Sequence, residues 1–187
     1  MDFNTILAIL ITGILSNNYA LVEFLGTGAV IENERSKRRS LIVGGCTTLV
    51  MILATLITWP INEYLLGSVP YLQTLVYVLV ILVVVELVHI FTKSRVEGYC
   101  KVDFMKFAIN GAVLGLCVHN GHYDFLQSIF MAFAVGLGLT LTMIVFSSLH
   151  EKVDEESVPE SFRGLPITLL IAGMMALAVL AISSIVF

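Results

Sequence analysis

Residues 17–30 read NNYALVEFLGTGAV, a polar and glycine-bearing interruption of the first apolar run in the sequence. A shorter break of the same kind, INGAVLG, occupies residues 109–115. Asparagine amides, a carboxylate and bare glycine backbone are costly inside hydrocarbon unless protein or a water-filled cavity satisfies the polar groups. The two breaks therefore predict where this chain builds a site.

The composition is typical of an integral membrane protein. Of the 187 residues, 58% are hydrophobic and only 13% are charged, and the mean hydropathy is +0.96, which lies outside the usual range of soluble domains. Spans of suitable length are predicted at roughly 4–29, 41–61, 71–92, 103–120, 125–148 and 165–186. They leave no room for a separate soluble domain, so residues 1–187 are predicted to form a single membrane domain embedded in the lipid bilayer.

The basic residues predict the orientation of these spans. All ten lysines and arginines lie in or beside the first, third and fifth loops. Because basic loops stay in the cytoplasm, these three loops are predicted to be cytoplasmic and both chain termini to lie outside. The residues are Arg35, Lys37, Arg38, Arg39, Lys93, Arg95, Lys101, Lys106, Lys152 and Arg163.

Two pairs of segments indicate an internal repeat. NYALV at 18–22 matches NGAVL at 110–114, and GGCTTLVMI at 44–52 matches GLGLTLTMI at 136–144. Since three spans separate the members of each pair, the two halves must be oppositely oriented. The pattern predicts an all-α polytopic fold of six transmembrane helices, arranged as an inverted repeat of three plus three over about 1–93 and 103–187, with helices 1 and 4 broken near the midplane.

Three asparagines lie in the breaks: Asn17, Asn18 and Asn110. The functional interpretation is that they line a central cavity and bind an ion, a cofactor edge or unwound backbone. The alternative is hydrogen bonding between helices, which contributes about 1 kcal/mol per contact in membranes. Both interpretations place these amides inside the protein, away from lipid.

Three ionisable residues fall inside predicted spans: Glu23, Glu86 and His89. Intramembrane carboxylates are by default proton or cation sites. Glu86 and His89 are three residues apart, share a helix face and could form a proton relay. The alternative is that they lie near the cytoplasmic end of helix 3 and reach interfacial water.

Other candidate sites have simpler explanations. A two-histidine metal site at His119 and His122 with Asp124 is less favoured than a solvated turn, because that spacing is not specific. The basic cluster at 35–39 could dock an acidic partner or anionic lipid, but topology alone accounts for it. The three cysteines, Cys46, Cys100 and Cys117, indicate neither a disulfide framework nor a zinc site.

The sequence contains no nucleophilic triad, phosphate-binding loop, dinucleotide fingerprint or nucleic-acid-binding surface. The chain alone is therefore not predicted to be an enzyme or to bind nucleic acid.

Four segments carry a family resemblance: NNYALVEFLG at 17–26, NGAVLG at 110–115, the helix-5 segment at 127–152 and VPESFRGLPITLLIAGMMALA at 158–178. They resemble the A subunit of the Rnf ion-translocating oxidoreductase complex and, equally, the E subunit of the sodium-pumping NADH:quinone reductase. The resemblance covers nearly the whole chain. It implies a component of the prokaryotic cytoplasmic membrane that pairs with a homologous six-helix subunit of opposite orientation, beside other subunits that carry flavins and iron–sulfur clusters.

The chain departs from that family at its cofactor positions. In the family, each of the two paired subunits contributes two cysteines from its broken helices to a shared 2Fe–2S centre. Here Gly28 and Gly111 occupy those positions, and Ala29 stands where the family has proline. Glycine has no side chain to bind iron, so we expect this chain to hold no cofactor through its own side chains.

Two functions follow from these observations. The first is a membrane subunit of an Rnf- or Nqr-like redox-driven ion pump, forming the intramembrane electron and ion path with its homologous partner. The alternative is a non-redox, transporter-like protein that keeps the inverted-repeat fold and moves an ion or small solute through a midplane cavity. Iron and acid-labile sulfide analysis of the purified complex distinguishes them.

Overall fold

The computed structural model describes residues 3–16, 21–23, 25–26, 37–66, 70–96, 110–121, 123–154 and 158–186. Six α-helices lie within these ranges. A π-helical turn, Thr12–Ser16, continues the first helix, and short 3-10 turns precede the third and sixth helices. The helices are α1 (Phe3–Ile11), α2 (Lys37–Tyr64), α3 (Gln73–Val96), α4 (Gly111–Asn120), α5 (Phe125–His150) and α6 (Leu165–Val186).

Four of the six helices, α2, α3, α5 and α6, are long and apolar enough to cross a membrane. The ten residues of α4 extend about 15 Å, which is half of a hydrocarbon core about 30 Å thick. The four long apolar helices confirm the prediction of an all-α polytopic membrane protein.

An antiparallel pair, α2 and α5, forms the centre of the fold. A Cβ added to Gly44 would lie 2.6 Å from Thr140 Oγ1, and a Cβ added to Gly136 would lie 2.8 Å from Thr48 Cβ. The two threonine hydroxyl oxygens are 3.3 Å apart. Small residues allow close approach of helices in lipid, where apolar side chains gain little from leaving the hydrocarbon. The glycines therefore set the spacing of the central pair.

The other helices pack around this pair. The buried share of each span is 50% in α2 and 56% in α5, against 28% in α3 and in α6, so α3 and α6 are peripheral. The first helix packs on α5 and, through its π turn, on α6, whereas α4 packs on α2 and α3. Gly13, in the π turn, permits close packing on α5, because a Cβ at residue 13 would lie 2.6 Å from Ala134 Cβ.

Polar contacts fix the two ends of the central pair. The Lys37 ammonium lies 3.1 Å from a Glu151 carboxylate oxygen, which places the first and fifth loops at the same end of the bundle. At the opposite end, Trp59 Nε1 donates a hydrogen bond to the carbonyl of Tyr123 at 2.8 Å, and its ring meets Phe125 edge-on. Tryptophan is enriched where membrane proteins meet the two membrane–water interfaces, and Trp59 lies at one end of the bundle.

In two predicted spans, those of helices 1 and 4, the described helix covers only part of the span. The span predicted at 4–29 is not one continuous helix, because the α-helix ends at Ile11 and residues 21–23 and 25–26 form turns. In the span predicted at 103–120, the described helix begins only at Gly111. Asn110 directly precedes the described helix, at its N-cap position. Asparagine is one of the residues favoured at that position.

Candidate functional site

Asn110 caps the start of α4. Its backbone is extended, with φ −116° and ψ 135°, and its Oδ1 accepts a hydrogen bond from the N–H of Ala112 at 3.0 Å. Its carbonyl accepts from the N–H of Val113, also at 3.0 Å. These bonds satisfy N–H groups that have no partner within the helix. The asparagine of the second sequence break is thus explained in part by N-capping.

The Leu25–Gly26 turn lies directly against this helix start. Gly26 has φ +83°, a left-handed conformation that glycine adopts at little cost. A Cβ added to Gly26 would collide with the Asn110 amide, 2.6 Å from Nδ2 and 2.8 Å from Cγ. A Cβ added to Gly111 would lie 3.6 Å from Leu25 Cδ2 and 3.9 Å from Gly26 N, which is ordinary contact. The described parts of the two sequence breaks are therefore in contact.

This contact lies deep in the bundle. At the far end of α4, Asn120 donates to Thr55 Oγ1 of α2 at 3.4 Å. Asn110 precedes Asn120 by ten residues, or about 15 Å along a helix. It therefore lies about half of a hydrocarbon core thickness away from the Trp59 end of the bundle.

One atom of the Asn110 amide remains unused. The residue is 7% exposed, and its Nδ2 has no hydrogen-bond partner among the described residues. Leaving a buried donor unsatisfied costs about 1–3 kcal/mol. The cap hydrogen bond therefore compensates only part of the burial of the Asn110 amide.

Asn110→Ala is expected to lower the free energy of unfolding by about 1 kcal/mol, because the Ala112 N–H loses its cap. Asn110→Ser keeps an acceptor oxygen at the cap and is expected to recover most of that loss. Thermal unfolding of the purified protein in detergent measures both changes. Equal stability of the alanine variant and the wild type would show that the cap does not stabilise α4.

The structure describes only some of the remaining sequence-predicted residues. Asn17, Asn18 and Gly28 lie outside the described residues. Glu23 is exposed, as is Glu86, and His89 is half-buried. The third helix continues ten residues past Glu86 to Val96, about 15 Å, so Glu86 lies farther from the helix end than the predicted boundary at 92 implied.

The weaker candidates lie at residues 119–124, of which the structure describes all but one. His119 and Asp124 are both exposed, and His119 lies within 3.4 Å of the Tyr123 hydroxyl; His122 lies outside the described residues. Within the described ranges, no three His, Cys, Asp or Glu side chains are grouped so that they could hold a metal ion. A solvated turn remains the prediction for this segment.

The residues at the contact do not fit the thiolate-bound centre that the family resemblance implies. Gly111 leaves room for a side chain, since an added Cβ there meets only ordinary contacts, but glycine offers no ligand atom. Cys117 lies on α4 and is buried. Cys46 lies on α2 and is half-buried. Neither cysteine replaces a thiolate at residue 111.

Sequence reasoning missed a buried polar cluster at the Trp59 end. Asn120 is 2% exposed and donates to the Ser128 carbonyl at 3.2 Å as well as to Thr55. The Ser128 hydroxyl donates back to the Asn120 carbonyl at 3.2 Å. Asparagine followed by glycine at the end of an apolar run is a recognisable helix stop, and this signal could have found the residue.

His150 is a second residue that the sequence did not single out. It is buried at the end of α5, and its ring stacks on Phe146 with centroids 6.1 Å apart. Helix 5 was predicted to end at 148, which placed this histidine in the loop. The i, i+3 spacing from Ser147, which is also buried, could have indicated a shared inward face.

Comparisons with known proteins cover nearly the whole chain. A family described as an Rnf-Nqr subunit, membrane protein, matches residues 6–186. The A subunit of the Na(+)-translocating ferredoxin:NAD(+) oxidoreductase complex of Acetobacterium woodii is 33% identical over 186 residues, which cover 96% of this chain and 97% of that protein.

Two further relatives are each named as the A subunit of an ion-translocating oxidoreductase complex. The one from Syntrophotalea carbinolica is 37% identical over 188 residues, covering 97% of each chain. The one from Escherichia fergusonii is 35% identical over 185 residues, covering 92% of this chain and 93% of that protein. With the family match over residues 6–186, these similarities confirm the resemblance seen in the sequence motifs: the chain belongs to the Rnf-Nqr family of membrane subunits.

Proposed function

We propose that this chain is a membrane subunit of a redox-driven, ion-translocating oxidoreductase complex of the Rnf or Nqr type. The observation that carries the proposal is the similarity of the full chain to proteins named as the A subunit of such complexes. The chain works within the assembly and is not a catalyst alone. Its helices form one wall of an intramembrane path for electrons and ions, and a homologous six-helix subunit of opposite orientation forms the other.

An inverted repeat underlies the fold in this proposal, with halves at about 1–93 and 103–187. Gly44 and Gly136 are 92 residues apart, as are Thr48 and Thr140. Each glycine packs on the threonine of the opposite helix. A twofold axis between equivalent segments makes contacts reciprocal in this way, which supports an internal pseudo-twofold axis at the crossing of α2 and α5.

The burial pattern supports the same offset of 92 residues between the two halves. Ten positions of α2 are buried, and a shift of 92 residues maps nine of them onto buried positions of α5. The tenth maps onto Thr140, which is half-buried. The shift also maps Asn18 onto Asn110. Moreover, the packing of α1 on α5 and α6 mirrors that of α4 on α2 and α3, as expected if helices 1 and 4 are the broken members of the two halves.

The polar residues singled out from the sequence line the ion path in this proposal. Asn110 is buried at the contact between the breaks. Glu86 is exposed on the surface of this chain, and a carboxylate facing lipid at this depth is costly. Its exposure therefore supports a partner subunit or water at that face of α3. The residues are Asn17, Asn18, Glu23, Asn110, Glu86 and His89.

The cofactors belong to other subunits in this proposal. Gly111 and Gly28 replace the thiolate positions of the family, so the flavins and iron–sulfur clusters of the complex are held elsewhere. The chain lies in the prokaryotic cytoplasmic membrane with both termini outside. The Lys37–Glu151 ion pair supports this topology, because it brings two of the three basic loops to one end of the bundle.

Inverted membrane vesicles from the host organism test the proposed function. Reduced ferredoxin and NAD+, the reactants in the name of one relative, are expected to drive uptake of radioactive sodium. Vesicles from a strain that lacks this chain are expected to lose that uptake, and expression of the chain from a plasmid is expected to restore it. Unchanged redox-driven uptake of both sodium and protons without the chain would contradict the proposal.

The glycines at the thiolate positions favour a second candidate, a non-redox transporter-like protein that moves an ion or small solute. The chain purified alone and placed in liposomes would then carry out transport without an electron donor, and it would not co-purify with redox subunits. Iron and acid-labile sulfide, measured in material purified through a tag on this chain, separate the two functions.

A further inference from the structure

Glu86 carries a carboxylate on the outer surface of α3, within the apolar span of that helix. The span runs from Gln73 to Phe91, so Glu86 lies about 7.5 Å inside its nearer end. Its side chain is exposed and forms no ion pair with any side chain that the structure describes. Glutamate is shorter than the lysine and arginine side chains that reach interfacial water from within a span, and a carboxylate in hydrocarbon is costly. Another group is therefore needed to meet this carboxylate in the membrane.

The surface around Glu86 is otherwise aliphatic. Leu82, Val83 and Ile90, each about one turn away, are all exposed, and so is the adjacent Leu87. Hard cations take several oxygen ligands, whereas this face offers a single carboxylate. Charged residues within spans face a water-filled cavity or pair with one another, and a wall of aliphatic side chains does not favour water. The surroundings favour an apolar partner surface with one complementary charge.

A leucine pattern on the same face indicates the form of that partner. Leu72, Leu75, Leu79 and Leu82 are all exposed, and with Glu86 they follow alternating spacings of three and four residues. Such spacings place side chains along the seam of two helices that cross at about +20°, the usual crossing in membrane bundles. Leucines alone give little preference for a helix over lipid. The charge of Glu86 therefore provides the selectivity.

We propose that this face of α3 docks a transmembrane helix of another subunit of the complex, and that a lysine, arginine or histidine of that helix pairs with Glu86. The inference deepens the proposed function and rests on it, because it names the docking surface and the chemistry of the partner. Glu86 then lies where the two walls of the ion path meet. A second copy of this chain fits less well, since a twofold contact through this face brings like residues together and two carboxylates repel.

Photo-crosslinking in membranes of the host organism tests the docking surface. A benzoylphenylalanine at residue 83, where Val83 is 60% exposed, is expected to capture one subunit of the complex. Mass spectrometry of the adduct is expected to find a basic residue within about one turn of the attachment point. The matched control is α6, because the same 28% of its span is buried and it has no ionisable side chain. The same photoprobe at residue 177, where Leu177 is 69% exposed, is expected to capture lipid and not that subunit.

Glu86→Leu tests the charge. Leucine at this exposed position leaves the fold of the chain unchanged, but it leaves the partner's charge without its counter-charge. Recovery of the captured subunit through a tag on this chain is expected to fall at least about tenfold. Glu86→Gln keeps hydrogen-bonding capacity and is expected to lose less. Ala178→Leu is the control, since Ala178 lies 92 residues after Glu86, at the equivalent exposed position of α6 in the proposed repeat, and it is expected to leave recovery unchanged.

The outcomes separate this inference from the proposed function. Capture of lipid alone, or of a second copy of this chain, from residue 83 overturns the docking surface. Full recovery of the captured subunit with Glu86→Leu also overturns it, even if ion uptake is lost, because Glu86 would then act on the ion. If redox subunits still co-purify in these cases, the proposed function stands without the docking surface. If residue 83 captures a helix with a basic residue from a protein outside any redox complex, the docking surface stands and the proposed function fails.

Discussion

Gly44→Val is expected to lower the thermal unfolding midpoint of the purified protein in detergent by roughly 10 °C. A Cβ at residue 44 would already lie 2.6 Å from Thr140 Oγ1 and 2.8 Å from Thr140 Cβ. The two branches of valine would therefore force α2 and α5 apart at their crossing, and overpacking of this kind costs about 3 kcal/mol. Size-exclusion chromatography after heating measures the midpoint.

The neighbouring glycine provides the control. A Cβ on Gly45 meets nothing within 4 Å, so Gly45→Val adds the same side chain to the same helix turn and is expected to stay close to the wild type. Gly136→Val is expected to match Gly44→Val, because Gly136 packs on Thr48 in the reciprocal way. Equal losses at residues 44 and 45 would mean that the helix itself, and not the crossing, is sensitive.

A compensating change tests the same crossing from the other side. Gly44→Ala is expected to destabilise the protein through contact with Oγ1, Cγ2 and Cβ of Thr140. Thr140→Gly removes all three of those atoms. The double variant is therefore expected to be more stable than Gly44→Ala alone, despite loss of the contact between the Thr48 and Thr140 hydroxyls.

The existence of the helices could be predicted from the sequence, whereas the faces they bury could not. Apolar length was sufficient to predict the six helices that the structure describes, four of which are long enough to cross a membrane, and GGCTTLVMI and GLGLTLTMI indicated related segments. Neither motif reveals that Gly44, and not Gly45, faces the other helix. Lipid is as apolar as the helix interface, so an inward and an outward face of a membrane helix have similar compositions.

The same limit explains the outcome at the candidate site. The Asn110-Gly111 pair stood out because an amide and a glycine interrupt an apolar run, and both lie at the contact with Gly26. Glu86 also stood out, but hydropathy cannot distinguish an inward from an outward carboxylate, and its side chain is exposed. His150 was missed because the predicted end of helix 5 at 148 excluded it from the bundle.

Gly26→Ala is expected to lower the free energy of unfolding by about 3 kcal/mol, from two sources. A left-handed backbone such as that of Gly26, at φ +83°, costs other residues about 1–2 kcal/mol. The methyl group also meets the Asn110 amide at 2.6 Å from Nδ2. Gly164→Ala is the control for the first source, since Gly164 has φ +78° but nothing within 4 Å of an added Cβ. Its expected loss is about 1–2 kcal/mol.

The clash with Asn110 is separable by a double-mutant cycle. The three atoms nearest to the added methyl group are Oδ1, Nδ2 and Cγ of Asn110, and Asn110→Ala removes all of them. If the Leu25–Gly26 turn and the start of α4 touch, the double variant is expected to lose about 1–2 kcal/mol less than the sum of the single variants, because neighbouring residues are not additive. Strict additivity would place the two sequence breaks apart. The candidate site is built on their contact, so strict additivity would contradict it.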